Sequence, residues 1–183
     1  MLLDLTLPIT PAMWQEAKEL KDPALEGHIG THFDVMDKEF PLEYTSRKGV
    51  VFDVSAAGEE IGMEDVDLSA VESGMFVGFY SGYGERVIYG AKGYFSGSPV
   101  LSYELIEALL EKQISVIGLD FGGIRRTPEH IPADQKCADR GVFVVENLVK
   151  LKMLAGKETF TVRIYPMALT GVTGLPCRVV AEI

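Results

Sequence analysis

The chain has 183 residues, 47% of them hydrophobic and 24% charged, proportions that suit one globular domain and exclude a disordered or fibrous chain. Seventeen lysines and arginines stand against 27 aspartates and glutamates, a net charge of −10 with no basic block, which argues against phosphate backbones and anionic membranes as partners. The longest apolar runs fall far short of the roughly 20 residues that a spanning helix needs.

The opening stretch, Met1 to Thr10, lacks a basic start, meets Asp4 at once and reaches Pro8 early, so no secretory leader is expected. Cys137 and Cys177 are far apart with no CxxC partner, which points to a reducing, cytoplasmic setting and to buried structural thiols. Short β-branched runs predict strands over Val50–Val54, Met75–Tyr80, Ile114–Leu119, Val142–Val145, Thr159–Ile164 and Arg178–Ile183. A helix is expected over Met63–Ser73, with Leu68 and Val71 inward. A second, Ser102–Gln113, is capped by Ser102 and carries an apolar face of Leu105, Ile106, Leu109 and Leu110. Between them, the glycine- and aromatic-rich stretch Ser81–Ser98 reads as an ordered irregular loop without a phosphate-binding spacing. No linker or repeat divides the chain, so residues 1–183 are expected to form a single α/β domain around a mostly mixed β-sheet.

The chemistry is expected in Gly27-His28-Ile29-Gly30-Thr31-His32-Phe33-Asp34, where two of the three histidines stand four apart with a carboxylate two further on. Imidazole and carboxylate are ligands for zinc, manganese and iron. On a helix Asp34 would point away from the histidines, and the glycines make a helix poor here. On a strand His32 and Asp34 share a face, but His28 lies roughly 13 Å from His32 unless the chain bends, which Gly30 permits. The pattern alone leaves open a pair of polar histidines with unrelated hydrogen bonds. Glu146 follows an apolar strand, where ligand-lining side chains are common but solvated turns are too. His130, between Pro128 and Pro132, reads as a surface histidine in a turn-rich loop.

His28-x-Gly-Thr-His32-x-Asp34, together with Gly141-Val-x-Val-Val-Glu146-Asn-Leu148, resembles the putative cyclase family, which includes bacterial kynurenine formamidases and isatin hydrolases. The resemblance extends from Asp4-Leu-Thr-x-Pro8, through the Phe79–Phe95 loop and Ile117-Gly-Leu-Asp120, to Gly171-x-x-Gly174-x-Pro176-x-Arg178-Val-Val-Ala181. It implies an α/β fold of the swivelling β/β/α type and a homo-oligomer, dimer or tetramer. It also implies one or two divalent ions, zinc or manganese, held by His28, His32, Asp34 and Glu146. Such an ion acidifies its water and polarises a carbonyl. The implied activity is hydrolysis of a small amide or cyclic amide, arylformamidase-like, with N-formylkynurenine the first substrate to consider.

Two positions depart from the family pattern. The family's HxGTHxDxPxH ends in a histidine where this chain has Lys38, which takes its acid–base role only if its pKa drops well below about 10.4; a solvated lysine between Asp37 and Glu39 is the simpler reading. The family's histidine twelve residues before the glutamate maps onto Asp134, which as a ligand favours harder ions such as manganese, whereas a contribution from His130 restores a zinc-type set. Lys38 and Glu146 are thus the candidate catalytic residues, and Asp134 joins the candidate ligands. The alternative function is a catalytically silent relative that binds a small molecule or a partner.

Overall fold

The β-branched runs become strands because each alternates between two apolar environments. The computed structural model describes residues 1–19 and 26–183. In chain order these form β1 (Leu2–Asp4), α1 (Pro11–Lys18), β2 (His32–Asp34), β3 (Ser46–Asp53), β4 (Glu60–Ile61), β5 (Phe76–Tyr80), α2 (Tyr83–Arg86), α3 (Tyr94–Gly97), β6 (Val100–Leu101) and α4 (Tyr103–Glu111). There follow β7 (Val116–Leu119), α5 (His130–Asp139), β8 (Phe143–Glu146), β9 (Phe160–Pro166) and β10 (Gly174–Glu182). All six expected strands are present, with ends shifted by a few residues.

The main sheet runs β1-β10-β2-β8-β7-β5-β3-β9, and β9 pairs again with β10, so seven strands close on themselves with β1 added at the side of β10. The β3, β5, β7 and β8 neighbours are parallel, and the remaining pairings are antiparallel, which makes the sheet mixed as expected. A parallel pair needs a covered crossover, and α4 and α5 provide one each, before β7 and before β8.

Alternation along the strands sorts side chains between two cores. Phe76, Tyr80, Val116, Phe143 and Val145 point inside the closed sheet, with Phe33, Val162, Ile164, Leu175, Val179 and Ala181. Val77, Phe79, Ile117, Leu119 and Val144 point outward, under Leu105, Ile106, Leu109 and Leu110 of α4 and Ala133 and Cys137 of α5. Ser102 caps α4 as predicted, its hydroxyl accepting from Leu105 N at 3.1 Å. Gly78 and Gly118 are opposite each other and leave room for the Phe76 ring; a Cβ on Gly118 would come within 2.3 Å of it.

One expected element is corrected. Met63–Ser73 is not a helix but two short 3₁₀ turns, Met63–Asp65 and Leu68–Ala70, separated by extended Val66. Asp65 accepts from Gly62 N and Asp67 from Ser69 N, so short acidic side chains satisfy the backbone locally and stop each turn from propagating. The Ser81–Ser98 stretch is ordered, and carries α2 and α3. No described helix is long and apolar enough to cross a membrane.

Candidate metal centre

The outer face of β2 and β8 carries the polar residues. Register pairs His32 with Glu146, Phe33 with Val145 and Asp34 with Val144. With Phe33 and Val145 turned inward, His32, Asp34 and Glu146 face outward, toward α5. Five residues of the sequence expectation, His28, His32, Asp34, Asp134 and Glu146, meet in this space.

His28 reaches the cluster because the chain turns at Gly30, whose φ of +59° is in the left-handed region. The turn is pressed on the start of β10: a Cβ on Gly27 would lie 1.7 Å from the Gly174 carbonyl oxygen, and a Cβ on Gly174 would lie 2.6 Å from the His28 ring. The bend places His28 Nδ1 2.9 Å from Asp34 Oδ1 and the two histidine ring centres 4.9 Å apart. His28 Nε2 is 2.9 Å from the Thr173 hydroxyl. His32 Nε2 stands 3.8 Å from both Asp34 Oδ1 and Glu146 Oε2.

His130 corrects the expectation of a surface loop residue. It opens α5, and its Nε2 is 2.9 Å from Asp134 Oδ2, 3.2 Å from Glu146 Oε1 and 3.9 Å from Asp34 Oδ2. Pro132 stands in the first helical turn, where the missing N–H has no intrahelical partner to lose, so the two prolines do not exclude a helix start. The spacing His130-x-x-x-Asp134 then puts both side chains on one face, a signal present in the sequence. Lys38, by contrast, is not brought into the cluster. Its ammonium lies 2.8 Å from Asp139 and 3.0 Å from Asp37 at the surface, and these contacts, Asp139 first, raise its pKa, opposite to what a base needs.

Asp34, Asp134 and Glu146 are 1 to 2% exposed, so three carboxyl groups are held together out of bulk water, while His28 and His130 remain partly exposed. Burial, then the charge of Asp34, pushes Glu146 up to about 8 and Asp134 up to about 7. Burial opposes ionisation of Asp34 too, but the facing His130 and His28 outweigh it and hold Asp34 well below the usual carboxylate range. Burial depresses His32; for His28 and His130 it is outweighed by the facing carboxylates, and both are raised. Gly123 N donates to Glu146 Oε1 at 2.6 Å, leaving Oε2 toward His32.

The donor atoms fit a cation. Among the described residues, Asp34 Oδ2, His130 Nε2 and Asp134 Oδ1 are buried with no hydrogen-bond partner, although they crowd one another. Two ligand triads, His28–His32–Asp34 and Asp34–His130–Asp134, each bring their donor atoms within 4.8 Å of one another. Ligands bonded at about 2.0 to 2.2 Å to one ion lie roughly 3 to 4 Å apart, close to the separations here. A groove of about 710 Å³ lies between residues 35–40 and 165–173, and its lining includes none of the six clustered residues.

Comparison with known proteins bears on the fold and the family. The predicted metal-dependent hydrolase from Bacillus stearothermophilus is similar over 99% of this chain and 97% of its own, with TM-score 0.77 and 21% identity. A potential metal-dependent hydrolase with cyclase activity gives TM-score 0.77 and 23% identity over 99% and 98% of the two chains. Isatin hydrolase A from Ralstonia solanacearum gives 0.76 and 18% over 99% and 91%. These similarities show a shared fold. No curated protein matches. Residues 3–125 match the family described as putative cyclase, a span that holds the His28–Asp34 segment and ends before His130. Covering two thirds of the sequence and carrying the HxGTHxD segment, that match shows that the chain belongs to the putative cyclase family.

Proposed function

We propose that the protein is a metal-dependent hydrolase acting on the carbon–nitrogen bond of a small amide or cyclic amide, with N-formylkynurenine as the first substrate. The observation that carries this reading is the set of buried, unpartnered donor atoms on Asp34, His130 and Asp134 beside the His28–His32–Asp34 triad. Family membership and the hydrolases among the structural neighbours support it. His28, His32 and Asp34 would hold one divalent ion, and Asp34, His130 and Asp134 a second. The first set, richer in nitrogen, suits zinc; the second, richer in carboxylate, suits manganese. When bound, such an ion supplies a Lewis acid that polarises the amide carbonyl and acidifies water.

The chain's own residues supply the rest. Glu146, with Oε2 3.8 Å from His32 Nε2, is placed to accept a proton from the attacking water once its own carboxyl is ionised. The Gly123 N–H fixes Oε1 and so aims Oε2 at the site.

Elemental analysis of protein purified without chelator, beside a His32→Ala/Asp34→Ala variant, tests the site. One or two equivalents of zinc or manganese in the parent, lost in the variant, is the expected result. Hydrolysis of N-formylkynurenine above the metal-only blank then tests the substrate. Bound metal with no turnover on N-formylkynurenine or on other small amides and cyclic amides would instead favour a small-molecule binding protein.

A further inference from the structure

His32 has two ring nitrogens, and the fold dictates which one carries its proton. Nδ1 lies 3.0 Å from the Gly30 carbonyl oxygen, which can only accept, so the hydrogen sits on Nδ1 and the Nε2 lone pair faces Asp34 and Glu146. The Gly30 carbonyl is itself held: Asn147 Nδ2 donates to it at 3.0 Å. The Asn147 amide has one workable orientation, because the Tyr94 hydroxyl donates to Oδ1 at 2.8 Å and a flipped amide would set oxygen against oxygen at Gly30. The Asn147 carbonyl also accepts from the Thr31 hydroxyl at 2.8 Å, which clamps the turn from the other side. Asn147 adopts φ +57°, a conformation asparagine tolerates better than most residues, and Asn147 and Tyr94 are both 2% exposed.

We propose that Asn147 and Tyr94 are positioning residues for the cation: Tyr94 orients the Asn147 amide, the amide fixes the Gly30 carbonyl, and that carbonyl keeps His32 in the tautomer whose Nε2 is free to ligate. Neither residue belongs to either ligand triad. The inference rests on the cation reading above, and it assigns the asparagine after Glu146 a function in the chemistry rather than in the strand end alone.

The test reads the tautomer directly. Nitrogen-15 spectra of metal-free protein, with the His32 signals identified by their loss in His32→Gln, should show a protonated Nδ1 and a bare Nε2 in the parent. Tyr94→Phe removes one oxygen and keeps the ring; Asn147→Gly removes the amide and keeps the positive φ. Both should move His32 toward a mixture of tautomers and weaken cobalt(II) binding by about 10- to 100-fold, the usual effect of removing an outer partner of a ligand. Unchanged tautomer in both variants overturns the proposal, as does weaker cobalt binding with an unchanged tautomer, since packing alone would do that. If Asn147→Gly fails to fold, Tyr94→Phe decides. A parent that binds no cobalt ends the cation reading, while the metal-free spectra still judge the network.

Discussion

Asp34, Asp134 and Glu146, buried and close together, cannot all be ionised unless positive charge stands among them. In the metal-free protein Asp34 keeps its charge, and burial together with that charge drives Asp134 up to about 7 and Glu146 up to about 8. A carboxyl whose folded pKa lies above its unfolded one stabilises the fold below the unfolded value and loses that contribution as pH rises through the folded value. The melting temperature of chelated protein should therefore fall between about pH 5 and about pH 8, read by thermal scans in buffers of constant ionic strength. Manganese affinity should move the other way, tightening as protons leave Asp134, Glu146 and the raised His28 and His130, which titration calorimetry measures. Much of this residue set is legible in the sequence. Strand alternation puts His32 and Asp34 on one face, and Gly30 is the residue that lets His28 fold back. His130 is not read so easily, because two flanking prolines look like a turn until Pro132 is placed in a first helical turn. Lys38 fails for a different reason: alignment by position says nothing of Asp139, which arrives from α5 to take the ammonium.

At the scale of elements, glycines decide how closely the parts approach. Gly118→Ala puts a methyl against the Phe76 ring and Leu148 inside the closed sheet. Overpacking of this kind costs about 1–3 kcal/mol, read as a lower denaturant midpoint, and should leave metal content unchanged because the strain falls on the inner face. Gly174→Ala acts at the other end of the scale of function. Its methyl meets the His28 ring, so metal affinity should fall by about 10-fold or more, as for other changes that misplace a ligand. The metal content of the two purified variants separates these effects. Both glycines are visible in the sequence, but their partners are not: Gly118 is 42 residues from Phe76 and Gly174 is 146 from His28, as 118 − 76 and 174 − 28 give. The α4 helix was readable because its cap and apolar face are local, while the Met63–Ser73 region misled because Asp65 and Asp67 bind their own backbone.

For the molecule as a whole, a ligand that binds only the folded state raises stability by mass action. Manganese at a hundredfold excess over its Kd should add about 2.7 kcal/mol and raise the melting temperature by roughly 5–10 °C for a chain of this size. EDTA should reverse the gain, and an unchanged melting temperature would show that no such site is present. Closure of the sheet was beyond sequence reading, since it depends on β10 pairing with β1, β2 and β9 at once. That strand begins at Gly174 beside His28 and ends against β1, and β2 is held between it and β8. The candidate ligands His28 and His32 therefore depend on β10, whose Gly174 is pressed on the first and whose Pro176 pairs with the second. A substitution that shifts the register of β10 would carry His32 and Asp34 with it and spoil the convergence of the candidate ligands.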